Sequence, residues 1–161
     1  MKIELKKALL FKKDIYKKII LDKNIQIDYI DLIAKLLDNK ADIIEIDNLN
    51  FNDCDLIEVS IKARQLCSIY NSLLIIKNRA DIVKIAEADG ILTDEFSIEL
   101  AKIKKISDDN ILFGFMGKPK NYDYDFILAN ENEKYDNIAT YEKISDENNI
   151  ITYKKVLNEN N

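Results

Sequence analysis

A chain of 161 residues, 47% hydrophobic and 33% charged, is long enough for one domain with a real core and too short for two comfortable ones. Its net charge of −5 and pI near 4.9 argue against the basic footprint that nucleic acid or an anionic membrane surface requires. No apolar run approaches the roughly 18 residues of a membrane span and the N-terminus lacks the apolar core of a signal peptide, so the expectation is a cytoplasmic protein.

In chain order, the first feature is a set of lysine pairs, Lys6-Lys7, Lys12-Lys13 and Lys17-Lys18. Their spacing among apolar residues reads as the wet face of an amphipathic helix. Strands are expected at Ile19–Leu21, Ile43–Ile46, Leu73–Ile76, Ile91–Thr93, Ile111–Phe115, Phe126–Ala129 and Ile150–Tyr153. Between them, apolar residues recur at three- and four-residue steps. One set is Ile30, Ile33, Ala34 and Leu37; a second is Leu56, Val59, Ala63, Leu66, Cys67 and Tyr70; a third is Phe96, Leu100 and Ile103. These are helices with one apolar face. Asp28, Asp53 or Asp55, and Asp94 stand just ahead of them as carboxylate caps. Such alternation predicts a parallel α/β fold with right-handed crossovers.

The segment Leu73–Leu92 is the most informative, because it holds a whole βαβ unit. Leu73 to Ile76 form a continuous apolar run, as in a strand covered on both faces, and Lys77, Asn78 and Arg79 follow at its carboxyl end, where parallel sheets and barrels bind ligands. The second half breaks the rhythm. Too few residues separate Phe115 from Phe126 for a helical crossover, a polar loop follows Ala129, and a helix of about two turns is expected around Tyr141–Ile144. The domain is expected to span 1–156, with residues 157–161 frayed. Cys54 and Cys67 lie thirteen apart in a chain without histidine, which builds neither a CxxC pair nor a Cys/His zinc site. Cys67 reads as a small core residue and Cys54 as exposed near the start of its helix.

The pieces Glu45-Ile46-Asp47-Asn48-Leu49, Ala63-Arg64-Gln65-Leu66-Cys67, Leu74-Ile75-Ile76-Lys77-Asn78-Arg79-Ala80-Asp81 and Ala88-Asp89-Gly90 share an order and spacing. In these, Ala41 to Lys104 resembles the second to fourth βα units of the thiamine-phosphate synthase and thiazole tautomerase family of TIM barrels. The resemblance implies a shortened or incomplete TIM-like barrel of about seven mainly parallel strands. It also implies a reaction joining an aminopyrimidine diphosphate to a thiazole phosphate, with pyrophosphate held by basic side chains and by magnesium on aspartates. Against that pattern, Glu45 stands in place of the family glutamine, Asp47 of the arginine and Leu49 of the lysine. Asn78 takes the position of the magnesium-binding aspartate and Lys77 that of the asparagine, and Thr93-Asp94-Glu95-Phe96-Ser97 replaces the Gly-Gln-Glu-Asp segment. The glycines are Gly90, Gly114 and Gly117, so no glycine-bearing phosphate loop follows the sixth expected strand. The histidine of the tautomerase branch is missing.

Parallel strands in order would gather Glu45, Asp47, Lys77, Asn78, Arg79, Asp94 and Lys118 at the carboxyl rim. Each has an ordinary reading beside the functional one. Arg79 pairs equally well with Asp81 or Asp47 on the rim, Asp81 and Asp89 cap or end the helix between them, and Lys118 beside Pro119 is a turn residue. Glu45 and Asp47 are either an acid/base or metal pair or two alternating strand carboxylates, and Tyr122 and Tyr124 read as packing. The leading functional expectation is a degenerate family member with little or no coupling activity, binding a small phosphorylated molecule or a partner within thiamine metabolism, with no cofactor. The rivals are an active transferase using Lys77, Arg79 and Lys118, which alone would need magnesium, and a purely structural interaction protein. Unpaired first and last strand edges add the expectation of a homodimer.

Overall fold

The apolar runs form strands and the periodic segments form helices in the computed structural model, which describes residues 1–130, 133 and 135–157. The elements are α1 (Ile3–Lys12), β1 (Ile15–Leu21), α2 (Tyr29–Asp38), β2 (Ile43–Asn48), α3 (Asp53–Ile69), β3 (Leu73–Lys77), α4 (Ala80–Ala86), β4 (Gly90–Thr93) and α5 (Leu100–Ile106), then β5 (Leu112–Met116), β6 (Phe126–Ala129), β7 (Ala139–Glu147) and β8 (Ile150–Lys155). The eight strands close into a barrel in chain order. Neighbours from β1 through β7 are parallel, and β8 runs antiparallel to both β7 and β1. The fold is a TIM-like barrel, shortened in its helical layer: among the described residues no helix follows α5.

Two apolar layers hold it together. Outside the sheet, Ile19, Ile44, Ile46, Leu74 and Ile76 pack against Ile33, Leu37, Ala63, Cys67 and Ile82 of the helices. Inside, Tyr16, Ile43, Ile75, Leu92, Phe126, Leu128 and Tyr141 fill the barrel, as side-chain alternation along each strand requires. Where the helices stop, Ile138, Tyr135 and Tyr124 cover the outer face of Ile127 and Ala129, and residues 117–125 connect β5 to β6 without a helix, as their length demanded.

Local chemistry explains the boundaries. The Asp28 side chain accepts from the amides of Ile30 and Asp31 and starts α2. Asn52, not an aspartate, caps α3 by accepting from Asp55 N, and Asp53 and Asp55 sit in the first turn, where the helix dipole favours them. Cys67 is buried in α3 and its thiol is pushed up to about 12 by burial, while Cys54 is exposed.

Several expectations are corrected. Tyr141–Ile144 belongs to strand β7, because the hairpin partner β8 supplies hydrogen bonds along nearly its whole length. Asn148 and Asn149 make the turn between them, with φ of 54° and 62°, a conformation that asparagine tolerates and two-residue hairpins prefer. Phe96 lies outside α5 and is 88% exposed, and Asp94 closes a local turn by accepting from Phe96 N rather than capping that helix. Lys17 and Lys18 lie on β1, and Lys6 is buried where α1 crosses the amino-terminal end of the barrel, so the lysine pairs do not share one wet face. Asp89 ends no helix; it is buried and bonded to Arg64 and to Leu74 N. Finally, barrel closure leaves neither the first nor the last strand without a neighbour, which removes the open edges from which a homodimer was argued. The tail residues 158–161 lie outside the described residues.

Gly114 shows how tightly the interior is filled. A Cβ there would sit 2.1 Å from the ring of Phe126, a residue with no exposed surface. Gly114→Ala is expected to lower stability by about 1–3 kcal/mol through overpacking, read as a shift of the urea midpoint. An unchanged midpoint would show that the ring moves aside freely.

Candidate functional site at the barrel mouth

Alternation on β2 points Ile43, Glu45 and Asp47 inward at successively higher levels, and parallel pairing sets Lys18 of β1 directly beside Glu45. The Tyr16 hydroxyl donates to Glu45 Oε1 at 2.6 Å. Lys18 Nζ lies 3.6 Å from Glu45 Oε2, 3.1 Å from Met116 Sδ and 5.7 Å from the centre of the Tyr153 ring. Glu45 has no exposed surface and Lys18 is 2% exposed. Burial pushes the Glu45 carboxyl up to about 7, Lys18 and the Tyr16 hydroxyl oppose that rise, Asp47 adds to it and Lys77 opposes it. Burial, and then the neighbouring Glu45, hold the Tyr16 and Tyr153 hydroxyls well above the ordinary phenol value.

One level higher, the Lys77 ammonium sits between two carboxylates, 3.5 Å from Asp47 and 3.6 Å from Asp94. Above them opens a cavity of about 540 Å³ lined by Asp94, Phe96, Met116, Lys118, Lys143 and Tyr153, among others. The structure therefore joins Glu45, Asp47, Lys77 and Asp94 in one column and adds Lys118 from the rim. It sends the other two expected residues elsewhere. Asn78 adopts φ 60°, its amide hydrogen goes to Leu92 O, and its side-chain oxygen accepts from the Ser97 hydroxyl. Arg79 pairs outward with Asp53 at 3.0 Å and with Asp81 at 2.9 Å. Those bonds raise its already high pKa and lower that of Asp81.

Tyr16, Lys18, Met116, Lys143 and Tyr153 were not expected at the site. Their one signal in the sequence is parity: Tyr16 and Lys18 alternate in step, as Ile43, Glu45 and Asp47 do on the next strand. A lysine at an inward position reads as surface until that register is known.

Magnesium needs several oxygen ligands in near-octahedral array. Here the two mouth carboxylates share one ammonium between them, the neighbouring amide is engaged by Ser97, and no group of three Asp, Glu, Cys or His side chains is assembled among the described residues. The donor set does not fit the ion.

Residues 18–117 match the family model of thiamine monophosphate synthase. A thiamine-phosphate synthase of Fusobacterium nucleatum is 26% identical over 87 residues, 54% of this chain and 42% of that protein. One from Prochlorococcus marinus is 29% identical over 85 residues, 53% of this chain and 24% of that protein. The matches thus span less than half the length of these relatives. A solved thiamine phosphate pyrophosphorylase from Pyrococcus furiosus shares the fold, with a TM-score of 0.60 and 19% identity over 71% of this chain and 59% of that one. The family match begins at Lys18 on β1 and ends just beyond β5, so the closing hairpin lies outside it. With β2 to β5 and the second half of β1 inside that match and its sheet closed as a TIM-like barrel, the chain belongs to the thiamine monophosphate synthase family.

Proposed function

We propose that this chain is a degenerate member of its family that binds a small phosphorylated molecule at the barrel mouth and has lost the coupling reaction. The observation that carries this reading is the Lys77 ammonium held between Asp47 and Asp94. Departure of pyrophosphate requires that its growing negative charge be neutralised. At this mouth the nearest cation is already compensated by two anions, Asn78 is turned away, and the carboxylates do not form a magnesium cage. Lys118 and Lys143 on the cavity wall supply charge suited to holding a phosphorylated compound, without the in-line clamp that a leaving diphosphate needs. A cytoplasmic location belongs to the same proposal; both cysteines are free thiols, as a reducing compartment keeps them.

Incubation with aminopyrimidine diphosphate, thiazole phosphate and magnesium is expected to release no pyrophosphate above the enzyme-free blank. Sustained formation of thiamine phosphate would overturn the loss of coupling. Binding is read separately: the chain has two methionines, and the Met116 methyl lines the mouth, so a 13C-methyl spectrum should show it shifting with thiazole phosphate while Met1 stays fixed.

A further inference from the structure

Lys18 is not part of any ion pair on the surface, and its surroundings are unusual for a lysine. It lies on β1, almost wholly buried, against Met116 and Tyr153, which form part of the cavity lining. Its contacts are a thioether sulfur, an aromatic face and a carboxylate oxygen at 3.6 Å. A pair serving stability alone is expected to have close geometry with every lone pair and proton satisfied. Here Glu45 Oε2 is buried without a hydrogen-bond partner, while Oε1 is anchored by Tyr16. The result is an amine held in a dry site, a fixed carboxylate with one oxygen unoccupied beside it, and a cavity large enough for a small molecule on the far side of a flexible methionine.

We infer that Lys18 is an amine nucleophile that forms an imine with a small aldehyde or ketone bearing an anionic group, taken in through the barrel mouth. The inference rests on the reading of that mouth as a small-molecule site and names the chemical class of its ligand. Lysine amines in desolvated pockets react with carbonyl compounds in this way. Glu45 Oε2 takes a proton from the Lys18 ammonium, and the freed nitrogen lone pair forms a bond to the carbonyl carbon as the carbonyl π pair moves onto oxygen. Glu45 returns the proton to that oxygen and then removes a second proton from nitrogen, leaving a neutral carbinolamine. Donation of this proton to the hydroxyl lets the C–O bond break and water leave, giving the protonated imine and restoring the carboxylate. One carbonyl and one ammonium become one iminium and one water, with no oxidant or reductant. A carboxyl pushed up to about 7 is populated in both protonation states near neutrality, as a group that must both accept and return a proton requires. Lys118 and Lys143 meet the anionic substituent, and Met116 must swing aside to admit the carbonyl carbon.

The probe is glycolaldehyde phosphate with sodium cyanoborohydride, followed by peptide mapping. The expected result is a reduced adduct on Lys18 at low probe concentration, ahead of every surface lysine. Glu45→Gln is expected to slow labelling of Lys18 by about a hundredfold and to flatten its pH profile near neutrality, while surface labelling stays unchanged. Labelling spread over surface lysines with none at Lys18 overturns the inference. If the Met116 methyl shifts with the probe and Lys18 stays unlabelled, the imine is refuted while the binding mouth stands. If neither responds, the mouth reading falls with it.

Discussion

Replacing Asp89 with alanine is expected to remove about 3–5 kcal/mol of stability, the cost of stranding buried charges by deleting their shared partner. Asp89 is 1% exposed. Its Oδ2 accepts from Arg64 Nη1 at 2.5 Å and from the Leu74 amide at 2.8 Å, and its Oδ1 lies 3.5 Å from Lys6 Nζ. Lys6 is itself buried and also donates to Asn110 O at 2.8 Å. One carboxylate thus ties α1, α3 and β3 together below the barrel floor. Without it, an ammonium and a backbone N–H remain buried with too few acceptors, and α1 loses its anchor beneath β5. Asp89→Asn, which keeps a side-chain oxygen for the Leu74 amide but not the charge, should fall between the two. Guanidinium midpoints measure all three; a loss below about 1 kcal/mol for the alanine variant would mean that Lys6 and Arg64 reach water once the carboxylate is gone.

The second large effect belongs to Glu45 and Lys18, and it depends on pH. Burial raises the folded-state pKa of Glu45 from its ordinary 4.5 to about 7, so the folded protein binds this proton more tightly than the unfolded chain. The stabilisation is fully present below about pH 4.5 and is lost as pH rises through 7. The groups facing Glu45 are Tyr16 and Lys18 on β1, Asp47 on β2, Lys77 on β3 and Tyr153 on β8, and none is a histidine that would titrate in the same window. Glu45→Gln should therefore abolish the part of the slope of stability against pH that lies between 4.5 and 7. At pH 8 the wild-type protein has given up that proton while the neutral amide keeps its stabilisation, so Glu45→Gln should be the more stable of the two by about 3 kcal/mol. Lys18→Met alone takes the nearest cation from the buried carboxylate and should lower stability at that pH, and adding Glu45→Gln should recover that loss, since replacing both members of a buried pair with neutral groups of similar shape is often close to neutral. Midpoints for the four proteins across pH 5 to 8 give the coupling directly. Strictly additive effects in the double variant would show that the two side chains do not sense each other.

The central βα units were legible because their physics is local. Leu73–Ile76 is apolar on both faces, the helices around Ile33 and Ala63 carry one apolar stripe, and Asp28 stands where a cap belongs. From these, parallel order follows, and with it the gathering of Glu45, Asp47, Lys77 and Asp94 at one end. Two kinds of residue resisted. Strand β7 is exposed from Lys143 to Glu147, where Ile144 is the single apolar residue and no period shows; it is a strand because β8 returns along it, a fact of pairing rather than of composition. Lys6 and Lys18 are buried cations, and a sequence shows the cation without the buried carboxylate that compensates it. Arg79 and Asn78 failed in the opposite sense. Their position at a strand end was right, but Asp53, Asp81 and Ser97 draw them off the mouth.

The reversed final strand has a consequence for how the molecule assembles. Each of strands β2 to β8 pairs with the strand just before it in the chain, but β1 receives its second neighbour only from β8, so contacts such as Lys17 Nζ to Thr152 Oγ1 join residues 135 apart in sequence. Loop-closure entropy makes such contacts late and slow. While the chain is being synthesised, β1 stands as a bare edge until the C-terminal hairpin arrives to seal it. That interval, rather than the finished barrel, is where edge-to-edge association threatens this protein. The tight Asn148-Asn149 turn shortens it by letting β7 and β8 arrive as a preformed ribbon.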